Sequence, residues 1–259
     1  MARPRAIVIR APGTNCDEET AYAWQRAGAT VETWHVNRLF EAPAELDRFQ
    51  ILTIPGGFSY GDDLGAGRIL ATRISSVLGD ALRRFRDQGG LVLGICNGFQ
   101  VLVRSGLLPG GPAPGLTTLA HNDSGRFEAR WVRLGARPGL SPFVSFHDPI
   151  ELPVAHGEGK FLTAEPAALD RLEQNGQVVL WYADKGGRPT LEYPANPNGS
   201  ARGIAAASDP TGRIFGLMPH PERFVDSWQH PQWTRRHGDQ PAEGDGMRIF
   251  RSAVESLQD

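Results

Sequence analysis

The sequence predicts an α/β fold with a mostly parallel central sheet and helices on both faces. Three observations lead to this class. Short apolar runs alternate with amphipathic stretches through the first half of the 259-residue chain, which is typical of βαβ units. Several of these runs lack polar alternation, as expected of strands buried on both faces. Short segments rich in glycine or proline follow these apolar runs, at the points where a strand must turn into a helix.

Four strands and three helices are predicted in alternation in the first half. The strands cover residues 6–9, 30–36, 50–54 and 91–95, and the helices cover residues 17–27, 68–87 and 97–105. The first helix places Ala21, Trp24 and Ala27 on one stripe and ends at Gly28, because glycine accepts the left-handed conformation of a helix end. This alternation indicates parallel strand pairing.

The second half changes in character. Strands are expected at residues 129–134, 178–182, 203–207 and 214–218, and a closing amphipathic helix at residues 246–257. The turn cluster over residues 208–213 joins the last two strands as an antiparallel hairpin at the edge of the sheet. Residues 108–114 and 228–243 are predicted surface loops. No linker or repeat divides the chain, so one domain over residues 1–259 is expected.

Charge and composition exclude several classes of function. Lys and Arg total 27 against 29 for Asp and Glu, which disfavours binding to nucleic acid or an anionic membrane. No apolar run reaches the roughly 18 residues of a membrane span or the roughly 7–15 residues of a secretory signal. A cytoplasmic location is therefore expected.

Motifs for metals and nucleotides are also missing from the sequence. The chain has two cysteines and neither a CxxC, an HExxH nor a GxxxxGK[ST] pattern. Two cysteines exclude a disulfide scaffold, and the missing patterns disfavour a zinc or P-loop site. No metal and no cofactor are expected on this chain.

The segment Gly94-Ile95-Cys96-Asn97-Gly98 carries the strongest chemical signal. It follows an apolar strand and opens a helix, which is the context of a nucleophile elbow with sulfur in place of a hydroxyl. Small residues on either side of Cys96 suit the tight turn, and a helix N-terminus stabilises negative charge. The alternative for Cys96 is a buried structural cysteine, a common fate of free cysteines.

Cys16 is the competing nucleophile. It also lies between a predicted strand and a predicted helix, but it lacks the flanking glycines of an elbow. The acidic residues Asp17, Glu18 and Glu19 follow it and would oppose a thiolate. We therefore predict a structural role for Cys16.

A general base and its partner are offered by Met218-Pro219-His220-Pro221-Glu222. A cysteine nucleophile needs a base, and a carboxylate fixes the tautomer of that base. On an extended segment His220 and Glu222 would project to the same side. A surface loop is the weaker alternative, since an apolar strand delivers both residues to the sheet edge where the elbow lies. Residues 55–58, Pro-Gly-Gly-Phe, end another strand, and their glycines let a backbone approach a ligand closely.

Together these motifs resemble the class I (triad) glutamine amidotransferases, whose flavodoxin-like fold agrees with the predicted sheet. Six segments in the same order are similar to one subfamily, the glutaminase subunits of phosphoribosylformylglycinamidine synthase. They are residues 12–17, 55–62, 122–128, 154–159, 196–200 and 218–223. This chain departs from the subfamily at residues 228–239, which enlarge the segment after residue 223. The enlarged segment is either a surface that faces a partner subunit or a loop particular to this chain.

The resemblance implies a role for each matched residue. Cys96 would be the nucleophile, His220 the base and acid, and Glu222 its orienting carboxylate. His156 is not the base of this family. The backbone N–H groups of Gly57 and Asn97 would form the oxyanion hole. The implied contacts to the glutamine substrate are Gly56, Phe58, Gln100, Gly157 and Glu158.

The resemblance also implies partners and a reaction. Hydrolysis of L-glutamine would supply ammonia to an ATP-dependent, PurL-like synthetase subunit, accompanied by a small PurS-like subunit. ATP and Mg would then bind the synthetase. Two alternatives stay open. A DJ-1/PfpI-like cysteine hydrolase commonly has histidine directly after the cysteine, where this chain has Asn97. A non-catalytic scaffold subunit would not need Cys96, His220 and Glu222.

Overall fold

The computed structural model describes residues 3–110, 116–235 and 243–258, so both predicted loops lie partly outside the described residues. The strands are β1 (Arg5–Arg10), β2 (Thr30–His35), β3 (Ile51–Ile54), β4 (Leu91–Ile95), β5 (Thr117–His121), β6 (Glu128–Ala136), β7 (Ile150–His156), β8 (Glu158–Thr163), β9 (Val178–Tyr182), β10 (Ile204–Ser208) and β11 (Ile214–Leu217). The helices are α1 (Asp17–Ala27), α2 (Val36–Glu41), α3 (Arg68–Arg73), α4 (Gly79–Asp87), α5 (Asn97–Arg104), α6 (Pro166–Gln174) and α7 (Met247–Glu255).

Within the described ranges, one large sheet runs in the order β2-β1-β3-β4-β11-β10-β9-β6-β7, and β5 pairs with β8 in a separate sheet. The pairings from β2 through β11 are parallel. Those from β11 through β7 are antiparallel. The predicted α/β class is confirmed, and the antiparallel part extends well beyond the predicted hairpin.

The parallel strands and the helices share one apolar core. Every residue of β3 and β4 is buried, which explains their unbroken apolar sequence. The fully buried Trp24 of α1 donates its indole N–H to Thr53 Oγ1 at 2.8 Å. The same ring packs edge-on against Phe250 of α7, with centroids 4.8 Å apart, so one aromatic side chain ties both helices to the sheet.

All eight predicted strands are present, but several boundaries differ. β2 ends at His35, because the His35 imidazole accepts the Asn37 N–H and caps α2. The predicted helix over residues 68–87 contains a π-helical stretch, Ile74–Leu78, between α3 and α4. Strands β5, β7 and β8 and helices α2 and α6 had no predicted counterpart. β7 contains Pro153, which it tolerates as the edge strand of the sheet.

The described part of the enlarged segment folds onto the antiparallel side of the sheet. His230 is buried, with its ring centroid 4.6 Å from that of Trp131 and 5.6 Å from that of Phe224. Trp228 and Trp233 are more than half exposed. No helix in the described ranges has the length and apolarity to span a lipid bilayer.

Two sequence motifs meet at the carboxyl ends of β1 and β3. Phe58 N–H donates to Gly13 O at 2.9 Å, and Cys16 N–H donates to Gly56 O at 3.3 Å. A Cβ atom on Gly13 would lie 2.1 Å from Phe58 O, and Gly13 also has a φ of +87°. Glycine is therefore required for these two loops to pair backbone to backbone.

The glycines on either side of Cys96 are required for packing. A Cβ atom at Gly94 would lie 2.7 Å from Gly98 O, and one at Gly98 would lie 1.8 Å from Ile54 O. Both contacts are with rigid backbone, so α5 can start against β3 and β4 only with glycine at these positions.

We predict that Gly98→Ala lowers the free energy of unfolding by about 1–3 kcal/mol, as overpacking does. Gly79→Ala is the matched control, because Gly79 is helical and its Cβ would meet the flexible end of Arg83 at 3.3 Å and backbone only at 4.0 Å, from Ile74 O. That change should stabilise the fold by about 0.5–1 kcal/mol. Denaturant titration of both variants measures the difference. Equal effects would contradict the packing argument.

Candidate active site

The predicted strand–turn–helix context of Cys96 is present in the structure. Cys96 lies between β4 and α5 with φ +50° and ψ −102°, a backbone conformation that is strained for a residue with a Cβ atom. Its N–H donates to Leu217 O at 2.8 Å, which ties the turn to the end of β11. The turn thus holds the Cys96 sulfur at the carboxyl edge of the sheet.

His220 and Glu222 meet at the same edge. His220 N–H donates to Pro153 O at 2.8 Å, and His220 Nδ1 lies 2.6 Å from Glu222 Oε1. Both side chains are buried. The predicted extended segment is wrong, because Pro221–Arg223 forms a 3₁₀ turn. This turn brings the Glu222 carboxylate back to the imidazole of His220, two residues earlier in the chain.

The imidazole of His220 is poised to hold a proton. Burial by itself favours neutral imidazole, but the Glu222 carboxylate and the sulfurs of Cys96 and Cys16 outweigh it and raise the pKa of His220 well above its ordinary value. Nε2 is buried and has no hydrogen-bond partner among the described residues. The ring therefore has one nitrogen fixed by Glu222 and the other available for chemistry.

Two cavities meet at Cys96. The larger, about 180 Å³, is lined by Gly57, Phe58, Asp62, Ala66, Cys96, Gln100, His121, Phe127, Ala155, His156, Gly157 and Glu158. The smaller, about 80 Å³, is lined by Asn15, Cys16, Gly57, Phe58, Cys96, Phe127, Ala155, His220 and Arg223. Phe58 and Phe127 are about half exposed and lie at both cavities. Cys96 thus faces two adjoining cavities, and of the two only the smaller is lined by His220.

The larger cavity is bordered by a network of amide side chains. Asn97 Oδ1 accepts the Ser59 N–H at 3.1 Å, and Asn97 Nδ2 donates to Asp62 Oδ1 and Gln100 Oε1, each at 3.0 Å. Gln100 Nε2 in turn donates to Glu158 O at 2.5 Å. The network therefore fixes Gln100 in the cavity lining.

Asp62 is a site residue that the sequence reasoning did not identify. Burial raises the pKa of Asp62, opposed by hydrogen bonds from the Gly67 N–H and the Asn97 amide. Its φ of +53° places it in a left-handed loop together with Tyr60 and Leu64. The left-handed backbone of these three non-glycine residues marks the loop as unusual. It can be recognised in the structure but not in the sequence.

The two predicted oxyanion donors lie next to Cys96. Gly57 has a φ of +145°, and a Cβ atom on it would lie 2.8 Å from Gly13 O. Asn97 is the first residue of α5, where backbone N–H groups lack helical partners. Hydrogen bonds among the described residues use neither of these N–H groups. Their role as oxyanion donors stays a prediction.

The other predicted contact residues divide into two groups. Phe58, Gln100, Gly157 and Glu158 line the larger cavity. Gly56 lines neither, and a Cβ atom on it would lie 2.9 Å from His220 Cε1 and 3.0 Å from Cys16 Sγ. Gly56 therefore makes room for the imidazole, and its contact to substrate stays a prediction.

His156 lies in the larger cavity but differs from His220 in its partner. Its Nδ1 lies 3.1 Å from Asn122 Oδ1, an amide rather than a carboxylate. Burial, followed by the charge on His220, lowers the pKa of His156 to about 4. A neutral ring without a carboxylate partner is a weaker candidate for the general base.

Cys16 is buried in the smaller cavity. Its thiol donates to Asn15 Oδ1 at 3.1 Å and accepts from Arg223 Nη2 at 3.2 Å. Burial and the Glu222 carboxylate raise the pKa of Cys16 to about 11, so the thiol is protonated at neutral pH. The predicted cause, repulsion by residues 17–19, is wrong, because burial and Glu222 raise this pKa.

A set of three side chains offers metal-type donor atoms. Ligand atoms of Cys16, His220 and Glu222 lie within 4.8 Å of one another, and thiolate, imidazole and carboxylate suit zinc. His220 Nδ1 already pairs with Glu222 Oε1 at 2.6 Å, so two of the three groups are engaged with each other beside Cys96.

Comparison with known proteins identifies the class. Residues 3–256 match the model of the CobB/CobQ-like glutamine amidotransferase domain. The fold is also similar to that of a glutamine amidotransferase from Thermotoga maritima, at a TM-score of 0.57 and 14% identity over 99% of both chains. The chain therefore belongs to the glutamine amidotransferase family, which confirms the resemblance and disfavours the DJ-1/PfpI-like hypothesis.

Its relatives place it with one subunit type. The chain is 48% identical over 98% of both sequences to phosphoribosylformylglycinamidine synthase subunit PurQ of Dehalococcoides mccartyi. It is 40% identical to the PurQ subunit of Methanococcus maripaludis over 97% of both sequences. A solved structure of PurLQS from Thermotoga maritima matches 99% of this chain and all of that one, at a TM-score of 0.74 and 31% identity. Within the amidotransferases, the chain belongs to the PurQ family.

We predict that Glu222→Gln lowers the pKa of His220 relative to the wild type, because burial is then opposed only by the sulfurs of Cys96 and Cys16. In the wild type the pKa of His220 is higher in the folded protein than in the unfolded chain, so protonation of His220 stabilises the fold. This stabilisation is fully present below pH about 6.5 and is lost as the pH rises through the pKa of the folded state. The variant loses this contribution. NMR titration of the His220 ring measures the pKa. Glu19→Gln, which removes the carboxylate bonded to Arg223 at 2.9 Å, is the control, and equal pKa values in the two variants would contradict the assignment.

Proposed function

We propose that this chain is the glutaminase subunit of a phosphoribosylformylglycinamidine synthase. It hydrolyses L-glutamine to glutamate and ammonia through a cysteinyl thioester. The ammonia serves a synthetase partner in the ATP-dependent conversion of formylglycinamide ribonucleotide to formylglycinamidine ribonucleotide, in de novo purine biosynthesis. The observation that carries the proposal is the Cys96 elbow beside the buried His220–Glu222 pair, in a chain that belongs to the PurQ family.

Acylation begins with the Cys96 thiolate, whose proton His220 holds. The sulfur attacks the carboxamide carbon of glutamine, and the carbonyl oxygen becomes an oxyanion. The N–H groups of Gly57 and Asn97 would stabilise this oxyanion, and each such donor contributes roughly 10²–10³ in rate. Glu222 stabilises the imidazolium and fixes the tautomer, so that Nε2 carries the proton that is transferred next.

The second half of the reaction releases ammonia and regenerates the thiolate. His220 Nε2–H protonates the leaving nitrogen as the C–N bond breaks, which leaves a glutamyl thioester on Cys96. His220, now neutral, takes a proton from a water molecule as its oxygen attacks the thioester carbon. The C–S bond breaks, glutamate leaves, and the thiolate–imidazolium pair is restored.

The larger cavity suits an amino acid. Its volume of about 180 Å³ lies below the roughly 300–1,000 Å³ of pockets for drug-sized ligands. Gln100, Gly157 and Glu158 supply polar groups at its wall, and the Arg104 guanidinium lies 3.3 Å from Glu158 Oε2. These groups would recognise the amino and carboxylate ends of glutamine.

ATP and Mg are assigned to the synthetase partner. The sequence lacks a phosphate-cradling P-loop pattern, and the larger cavity is too small for a nucleotide. The partner is a PurL-like subunit with a small PurS-like subunit, which the similarity to a chain of PurLQS supports.

Two further statements belong to the proposal. One amidotransferase domain spans residues 1–259, which the family match over residues 3–256 supports. The location is cytoplasmic, where a reducing environment keeps thiols free, as Cys16 and Cys96 are. A non-catalytic scaffold role is disfavoured, because Cys96, His220 and Glu222 are assembled for catalysis.

We predict that the chain alone releases glutamate slowly and that a PurL-type synthetase with PurS, ATP and acceptor raises the rate. About 3 kcal/mol of coupling corresponds to roughly 150-fold. Steady-state glutamate release by the chain alone and in the complex measures the effect, and Cys96→Ser should abolish it in both. Glutamate release by Cys96→Ser at the wild-type rate would contradict the proposed function.

A further inference from the structure

The two predicted oxyanion donors belong to separate elements of the fold. Gly57 lies in the loop that follows β3, over residues 55–62, whereas Asn97 is the first residue of α5. Donors stabilise an oxyanion only if they are already held about 2.7–3.1 Å from the position that the oxygen will occupy, and a misplacement of about 1 Å costs roughly 100-fold in rate. The chain therefore needs a contact that fixes the 55–62 loop against the start of α5.

The side chain of Asn97 makes that contact. Among the described residues, two hydrogen bonds join the 55–62 loop to the turn at Cys96, and both use this side chain. Asn97 Oδ1 accepts the Ser59 N–H at 3.1 Å, and Asn97 Nδ2 donates to Asp62 Oδ1 at 3.0 Å. Ser59 follows closely after Gly57 in the chain. The residue that carries one predicted donor N–H thus holds the loop that carries the other.

The orientation of the Asn97 amide is fixed by its acceptors. An amide side chain offers an oxygen on one side and two N–H groups on the other, whereas an ionised carboxylate only accepts hydrogen bonds. The carboxylate of Asp62 and Oε1 of Gln100 both accept from Asn97 Nδ2, at 3.0 Å each. Nδ2 therefore faces these two acceptors, and Oδ1 faces the Ser59 N–H.

Asp62 is held beside Asn97 in an unfavourable backbone conformation. Its Oδ1 also accepts the Gly67 N–H, at 3.0 Å, at the start of α3. Its φ of +53° lies in the left-handed region, as do the φ angles of Tyr60 and Leu64. Such angles are disfavoured for residues with a Cβ atom and cluster at functional sites. The strained segment thus places one carboxylate oxygen between Asn97 and α3.

We propose that Asp62 is a positioning residue for glutamine hydrolysis, which holds the Asn97 amide and thereby fixes the Gly57 N–H beside Cys96. The proposal rests on the proposed glutaminase function. Asp62 transfers no proton and forms no bond to the substrate in this role. Its contribution is realised in the transition state, when the oxyanion forms, and not in the binding of glutamine. Loss of the Asp62 acceptor should therefore lower kcat and leave KM for glutamine nearly unchanged.

Asp62→Gly tests the role of the acceptor. Glycine removes the carboxylate and accepts the left-handed backbone without strain. In the complex with a PurL-type synthetase, kcat for glutamate release should fall by about 10–100-fold, with KM for glutamine close to the wild-type value. Asp63→Gly is the matched control, because the Asp63 side chain is exposed and makes no hydrogen bond or ion pair among the described residues. It should retain the wild-type kcat.

Two further measurements separate positioning from a merely structural or substrate-binding role. Asp62→Asn keeps an oxygen that accepts both N–H groups and tolerates a positive φ, so its kcat should return to near the wild-type value. Alkylation of Cys96 by iodoacetamide needs the thiolate but forms no oxyanion, so its rate should be the same in Asp62→Gly and in the wild type. A general collapse of the site would change this rate as well.

A shape-conserving variant decides the matter if Asp62→Gly fails to fold. Asn97→Asp keeps the acceptor for the Ser59 N–H but sets a second carboxylate against Asp62, and like charges repel. It should lower kcat at least as much as Asp62→Gly, with KM again nearly unchanged. Wild-type kcat in Asn97→Asp would overturn the proposal.

The remaining outcomes distinguish the two proposals. If the wild-type chain releases no glutamate with any PurL-type partner, the proposed function fails and the role of Asp62 fails with it. If the wild-type chain is active but Asp62→Gly retains its kcat, only the positioning role is overturned. The same holds if Asp62→Asn raises KM for glutamine as much as Asp62→Gly does, because the Asp62 charge would then bind substrate.

Discussion

The active site depends on the buried pairing of His220 with Glu222. A charge taken out of water is costly unless it is paired, and breaking a buried pair by removing one partner costs about 3–5 kcal/mol. Here the two atoms lie 2.6 Å apart with both side chains buried. The pair makes it possible to keep a protonated imidazole inside the protein, and a protonated imidazole stabilises the thiolate that begins the reaction.

The fold positions this pair and Cys96 at one edge of the sheet. β4 delivers Cys96, and the neighbouring β11 delivers His220 at the same edge. The edge strand β7 fixes His220 from the other side through Pro153 O. The absence of a side chain at Gly56 leaves room for the imidazole ring. Because two separate strands and one loop set the position of a single ring, its geometry does not depend on a flexible segment.

The sequence predicted that Cys96, His220 and Glu222 meet at one edge of the sheet, and it predicted most of the large sheet, because these signals are local. The stripe ending at Gly28 predicted α1 with its observed bounds, and the apolar run at residues 178–182 predicted β9. β7 was missed because Pro153 interrupts its pattern, and only its position at the sheet edge makes that proline acceptable. Arg223 and Asp62 acquire their roles from contacts with residues far away in the sequence. Such contacts have no local signal.

The central claim is that Cys96, and not Cys16, is the sulfur that attacks glutamine, although both line the same small cavity beside His220. The most direct measurement is peptide mass spectrometry after reaction with a chloroketone analogue of glutamine, with and without excess glutamine. The account predicts alkylation of Cys96, protection by glutamine, and an unmodified Cys16. Alkylation of Cys16 with Cys96 unmodified would contradict it.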